Sequence, residues 1–446
     1  MARMEPWCPS AIERAMERPM PKPLPFLCAS ALALSLTACA GTINNSTTDT
    51  ASNVTFTFTD SGVTAAGETD TGYEIDGTAL TITSSGTYTV SGSCADGSIK
   101  VKKSTTGVTL VLDGLTLTSE NTAVTCGKSS EVTILVSNGT ENSLSDTEQN
   151  NDDNYPENEN AENAVIKCKD GSLVTLCGDG ELTITANGKN GIKSGATTDE
   201  DGEASLTIRD LTLNIDAPVN DAINAEQLLN VESGTLTIDA ADDAIHCDLV
   251  LNIGADGTDG PTIDITNCCE GLEGAELNVC SGDITINASD DCLNAANSDL
   301  TDYDFTMTIS GGTIDACSSA GDGFDSNGDL TITGDTVIVW TANTADNEPL
   351  DADGTITVSG GTVLAAGGGS GMGMGGGFPG GGQKPDGEPP ESFDGQMPNG
   401  EKSELPDGEV PEMPSGERPT PPSGQGSPAD GNAPAGDSTS DTTPTA

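Results

Sequence analysis

A single pattern repeats between Leu211 and Ala366 and limits the fold more than anything else in the chain. Apolar residues flank a polar one, a glycine turn follows, the alternation returns, and an acidic turn closes the unit. Leu229-Asn230-Val231 and Leu236-Thr237-Ile238 meet at Ser233-Gly234, and Asp242-Asp243 ends that unit. Leu277-Asn278-Val279, Ile284-Thr285-Ile286 and Asp290-Asp291 repeat it; further copies centre on Ile263-Asp264-Ile265, Met307-Thr308-Ile309, Leu330-Thr331-Ile332 and Ile356-Thr357-Val358. Leu182, Leu213, Leu236, Ile263, Ile284, Ile314, Val337 and Val363 occupy one slot, at spacings of 31, 23, 27, 21, 30, 23 and 26 residues. A short unit with insertions at fixed places marks a solenoid.

Alternation at period two predicts strands with one buried face. Each is expected to span three to five residues, too short to stand alone. Gly, Asn and Asp fall between strands, where tight turns need them. No helical period appears, so the expected class is all-β, a single-stranded parallel β-helix. Stacked coils place equivalent residues about 4.8 Å apart. A β-propeller ranks lower because its blades need four strands.

The net charge of −55, from 71 acidic and 16 basic side chains, excludes nucleic acid as a partner. It suits a surface protein that meets cations or polysaccharides. Aromatic residues are 3% of the chain, too few for an ordinary globular core but enough for stacked aliphatic ladders. His246 is the single histidine, which argues against histidine-based metal or triad chemistry.

Residues 1–38 read as a lipoprotein signal peptide. Leu27 to Ala38 is apolar but too short to span a bilayer, and Leu36-Thr37-Ala38-Cys39 resembles the bacterial lipobox, which implies lipidation of Cys39. The expected location is the cell surface, with a membrane attachment through this N-terminal lipid anchor. Residues 39–53 form a polar tether, 54–366 the β-helix, and 367–446 a tail of Gly, Pro, Ser and acidic residues that is disordered on composition. The chain is expected to be a monomer.

Several segments share one likeness: Gly86-Thr87-Tyr88-Thr89-Val90, Ile99-Lys100-Val101, Val108 to Leu112 with Asp113-Gly114, and Asn138-Gly139-Thr140-Glu141-Asn142. Asn190-Gly191-Ile192-Lys193-Ser194 and Asp322-Gly323-Phe324-Asp325-Ser326 add a recurring turn. Together, over about 54–366, they resemble the bacterial carbohydrate-binding-domain family of right-handed, pectate-lyase-like parallel β-helix surface proteins. The resemblance implies binding of plant cell-wall polysaccharide, cellulose or pectate, with calcium. The chain departs from it at Ala244, Cys292 and Pro349, where turn glycines are replaced.

Aligned closing turns put Asp221, Asp243, Glu270, Asp291, Asp322 and Glu348 in one column. Neighbouring unit charges at that spacing repel by about 1 kcal/mol in water and about 3–4 kcal/mol at an effective dielectric of about 20. A hard cation such as calcium would relieve the column. A second column three residues on supplies Asn224, Glu273, Asn294, Asp325 and Asp351. The densest expected cluster is Asp290, Asp291, Asn294, Asp322, Asp325, Glu348 and Asp351. The alternative stays open that these residues only cap turn N–H groups. Lys167 and Lys193 begin the second column and are candidates for docking an anionic glycan. His246, further along it, reads as a solvated ladder residue.

The acidic insertion 145–163 is a solvated loop or a binding lip, with Tyr155 a candidate glycan contact. Trp340 takes an outward slot and is a candidate for stacking on sugar. Cys126, Cys168 and Cys247 share an inward small-residue column, packed as apolar side chains with disulfides left open. The sequence favours a non-catalytic binder. Two other readings remain: a calcium-dependent lyase, for which Arg209 is the one arginine in the β region, and a structural adhesin with no glycan ligand.

Overall fold

The structure, a computed structural model, describes residues 52–67, 71–196, 205–342 and 347–368. The signal peptide, Cys39, most of the tether, the tail beyond 368 and most of the second acidic insertion lie outside the described residues. Among the described residues the protein is all-β, without a helix.

Three parallel ladders carry the chain. In the first, Glu181–Thr185, Thr212–Ala217, Thr235–Ala240, Thr262–Cys268, Asp283–Ala288, Thr313–Ser318, Thr336–Trp340 and Thr362–Ala366 pair in succession. The eight residues assigned to one slot by sequence are register partners throughout, from Leu182↔Leu213 to Val337↔Val363. A slip of one residue would turn every apolar side chain outward, so the buried face sets the register. The second ladder runs through Leu206–Arg209, Leu228–Val231, Thr306–Ile309, Asp329–Ile332 and Ile356–Val358. The third runs through Ala164–Cys168, Asn190–Ser194, Ile223–Ala225, Leu293–Ala295 and Phe324–Ser326.

Two strands serve both the second and third ladders. Ile245–Ile253 pairs through Ile245 to Cys247 in the third and through Val250 to Ile253 in the second. Leu272–Val279 does the same. The expectation of three to five residues per strand falls short by one or two in five strands of the first ladder, and by more at these places and at Val108–Thr118, which has 11. There the backbone crosses a corner while still paired, with Gly114 at φ 77° in the longest case.

The inward columns are aliphatic: Leu182, Leu213, Leu236, Ile263, Ile284, Ile314 and Val337 are all 0–1% exposed. Each such burial stabilises by about 1.5–3 kcal/mol. Asn142 occupies the same inward column beside Leu182. Its Oδ1 accepts from the Gly114 and Leu115 N–H groups and its Nδ2 donates to Glu181 O and Thr140 Oγ1. A buried amide is tolerated there because all its valences are met.

Cys126↔Cys168 and Ala225↔Cys247 confirm the small-residue column. The ten cysteines of the described residues form no disulfide. Near the start, Ser52–Thr59 with Gly62–Gly67 and Tyr73–Asp76 with Ala79–Ile82 are antiparallel pairs, shielding the first parallel strands.

Leu236→Ala is expected to cost about 2–5 kcal/mol, read as a lower denaturant midpoint, while Thr237→Ala on the exposed face of the same strand changes stability by less than about 0.5 kcal/mol. Equal effects would contradict the assigned register.

Candidate functional site

The acidic turns lie at the corner where the first ladder passes to the third, and the backbone stacks them. The N–H after each acid donates to the carbonyl of the next acid: Ala222 to Asp243, Ala244 to Glu270, Gly271 to Asp291, Cys292 to Asp322 and Gly323 to Glu348, at 2.9–3.3 Å. Gly191 likewise donates to Asp221. All six acids predicted for the column are in it. One residue on, the N–H groups of Ile192, Ile223, Ile245, Leu272, Leu293 and Phe324 donate to the carbonyls of Ala222, Ala244, Gly271, Cys292, Gly323 and Pro349. Turns with Ala244 or Cys292 thus keep the bonding of the glycine turns, and Pro349, which has no N–H, keeps its acceptor half. Glycine at 271 and 323 answers close contact, since an added Cβ would meet a carbonyl oxygen at 2.2 or 2.4 Å.

The second column is in register from Lys167↔Lys193 through Asn224, His246, Glu273 and Asn294 to Asp325. A bridge between Phe324 and Leu350 aligns Asp351 with it. One edge therefore passes from basic to acidic.

Relief of repulsion differs along the column. Asp221, Asp291 and Asp322 each accept the backbone N–H of the next acid, at 3.3, 2.6 and 2.6 Å, so turn capping is real for these three. Asn224 donates to Asp221 at 2.6 Å and Asn294 to Glu270 at 2.8 Å. Burial, then the Asp243 charge, raises Asp221 to about 6. Burial raises Glu270 to about 8, against the Asn294 hydrogen bond, and Asp291 to about 7. Asp325 rises to about 6 through burial and the charges of Asp322 and Asp351.

Of the densest expected cluster, carboxylate oxygens of Asp322, Asp325 and Asp351 lie within 4.8 Å of one another. Asp291 joins Asp322 through its backbone, and Asp290 and Asp291 crowd Gly321, where a Cβ would sit 2.2 and 2.5 Å from their oxygens. Glu348 and Asp290 are themselves exposed. Asn294 is 7% exposed, and its Oδ1 has no hydrogen-bond partner.

His246 is not solvated. Its Nδ1 meets Asp243 at 3.1 Å and also Glu273, and its Nε2 meets Asp248 at 2.9 Å. Burial opposes charge on the ring, but these hydrogen bonds outweigh it and raise the pKa. The sequence places Asp243 and Glu273 correctly; Asp248, two residues away on the same strand, carries no such signal.

The acidic insertion is a solvated loop in part: Glu148, Asp152, Asp153, Glu157 and Glu159 are exposed, while its base is anchored. Asn150 is fully buried, donating to Asp146 and Ala164 O and accepting from the Glu162 and Asn163 N–H groups. Its acids pair with the basic cluster, Glu162 with Lys169 and Asp153 with Lys189. Lys167 and Lys193 are half-buried neighbours; burial and then the Lys193 charge lower the Lys167 pKa. Tyr155 sits in the insertion, where burial and Glu148 raise its hydroxyl pKa.

Trp340 stands apart on the first ladder, 45% exposed, with Cys317 as register partner. Its face presents Thr235, Thr262, Asp283 and Thr313 in one exposed rank and Thr237, Asp264, Thr285 and Asp315 in the next. The structure does not bring Trp340 together with the lysines and Tyr155.

Carboxyls near pH 4 in the unfolded chain titrate higher when folded, so the unfolded chain sheds protons first and stability declines as pH rises through about 4–8. His246, also raised, acts with the same sign above its unfolded value. Calorimetry in chelator is therefore expected to show the thermal midpoint falling from pH 5 to pH 8.5, with a divalent cation reversing the fall. A midpoint that rises would contradict this electrostatic account.

The family described as "Carbohydrate-binding domain-containing protein" matches residues 76–254 and 258–371. A protein of that description from Acetivibrio thermocellus is 40% identical over 118 residues, 25% of this chain and 38% of its own length. The chain thus spans well under half of that relative. A solved structure, the polysaccharide lyase-like protein from C. thermocellum as a gadolinium derivative, is 22% identical, with a TM-score of 0.39, covering 70% of this chain and 99% of its own. With well over half of its 446 residues matched, the chain belongs to the carbohydrate-binding domain-containing protein family.

Proposed function

We propose that this protein is a non-catalytic, surface-anchored polysaccharide-binding lipoprotein on a right-handed parallel β-helix, with calcium in its acidic corner and plant cell-wall glycans as ligands. The observation that carries the cation is Asn294. A nine-tenths-buried carbonyl oxygen without a partner costs about 1–3 kcal/mol, and this one stands in register with Glu273 and Asp325. A hard cation accepts such an oxygen together with carboxylates. Asp291, Asn294, Asp322, Asp325 and Asp351 fit it best; Glu348 and Asp290 flank them, and Asp221, Asp243 and Glu270 extend the column. Calcium would supply charge neutralisation and a bridge to acidic or hydroxylated sugars.

The glycan face is supported by the exposed ranks of Thr and Asp beside Trp340. An aromatic ring with flanking hydrogen-bond groups suits a sugar's apolar face and its hydroxyls. Lys167 and Lys193, which form no ion pair among the described residues as Lys169 and Lys189 do, suit an anionic polymer further along the same edge. The lyase reading is less favoured. Arg209 lies in the second ladder, 3.9 Å from both Asp210 and Glu232, and none of its contacts is with an acid of the column.

Retention of the full chain on cellulose and polygalacturonate, with and without chelator, tests the proposal. Calcium-dependent retention without unsaturated product is expected. Trp340→Ala should weaken retention several-fold, and Asp322→Asn with Asp325→Asn should weaken calcium binding at least about tenfold, near 1.4 kcal/mol. Unsaturated product would support the lyase, and absence of retention on any glycan would support the adhesin.

A further inference from the structure

The all-oxygen corner is not the only cation chemistry in the fold. We propose that Asp243, His246 and Glu273, backed by Asp248, form a second site, which takes Asp243 from the acidic column, for a borderline divalent transition metal such as zinc, bound through Nδ1 of the neutral imidazole.

The first argument is a mismatch in donors. The ring offers at most two N–H groups, yet three carboxylates surround it: Asp243 and Glu273 at Nδ1, and Asp248 at Nε2. One proton on Nδ1 cannot lie in line with two oxygens. A metal ion at that position takes the nitrogen and both oxygens at once. The second is orientation. Asp248 at 2.9 Å holds the Nε2–H, which leaves the Nδ1 lone pair directed between Asp243 and Glu273. A carboxylate on the far nitrogen is what metal-bound histidines regularly carry.

Distance and charge agree. The three ligand atoms lie within 4.8 Å of one another. A separation of 3.1 Å between Nδ1 and Asp243 Oδ2 suits two donors each about 2.0–2.2 Å from one zinc ion. An imidazolium offsets one of three negative charges, whereas a divalent ion on a neutral ring offsets two. The displaced Nδ1 proton leaves to solvent. Side-chain exposures of 23% for His246 and 13% for Asp243 and Glu273 leave a side open for a water or a fourth ligand.

Ligand type separates this centre from the corner. Imidazole with carboxylates favours zinc, nickel or copper, whereas carboxylates and amide oxygens alone favour calcium. The position follows from stacking: Asn224, His246 and Glu273 are consecutive in the second column, so the carboxylate one coil on and the turn acid three residues before both reach the ring.

His246 is the single histidine of the chain, so its ring nitrogens can be followed without assignment ambiguity. The experiment is zinc titration of the full-length chain, labelled with ¹⁵N-histidine, in saturating calcium. The expected result is a shift of the Nδ1 resonance that saturates at one equivalent and is not reversed by calcium. Asp248→Asn should weaken zinc binding about 10–100-fold, and His246→Gln by at least about 100-fold. Ring resonances unmoved by zinc, or undiminished one-equivalent zinc binding in His246→Gln, would overturn the proposal. Should that variant fail to fold, the resonances of the unaltered chain decide the matter.

Discussion

Everything in this molecule depends on backbone hydrogen bonds made in register from one pass of the chain to the next. A strand of three residues such as Ile223–Ala225 has no stability of its own. It holds because Asn190–Ser194 lies on one side and Ile245–Ile253 on the other. The same bonds force like onto like. Leucine stacks on isoleucine within, threonine on threonine without, and acid on acid at the corner. The apolar columns gain from this repetition, because each side chain buries its neighbour. The acidic column loses by it, because each added carboxylate raises the potential felt by the next.

The second column is arranged as a graded response to that cost. Lys167 and Lys193 begin it, Asn224 donates an amide to Asp221, and the His246 ring sits among three carboxylates. Asn294 gives its amide to Glu270 and keeps a buried oxygen unpaired. Beyond it only Asp325 and Asp351 remain, and no basic side chain faces them among the described residues. Internal donors thus thin out along the edge, and the demand for an external cation grows in the same direction.

Legibility followed the range of the interaction. The slot containing Leu236 and Ile284 could be read directly, since burial of alternate residues leaves a period-two trace and the turns leave glycine and aspartate. Once that slot was aligned, the acid column and the second column followed by counting, including the sign change from Lys193 to Glu273. Strand lengths were less legible. Ile245–Ile253 crosses a corner without a glycine, and nothing in Cys247-Asp248-Leu249 announces that pairing continues across it. The insertion 145–163 was legible in part: its exposed acids are where composition puts them, but Asn150 is as polar as a solvated residue, and only the carbonyls and amides gathered around it show that it is buried.

By itself, the sequence determined the repeat, the register and the identity of the residues that share each column, because these depend on one-dimensional spacing and on which side chains tolerate water. The tertiary structure decided how each column is satisfied. Whether Asp248 turns toward His246, whether Asn294 spends one end of its amide and not the other, and whether Trp340 stays in the open depend on side-chain directions at corners, where residues distant in the chain meet. Those directions answer to local hydrogen-bond supply, which no spacing along the chain encodes.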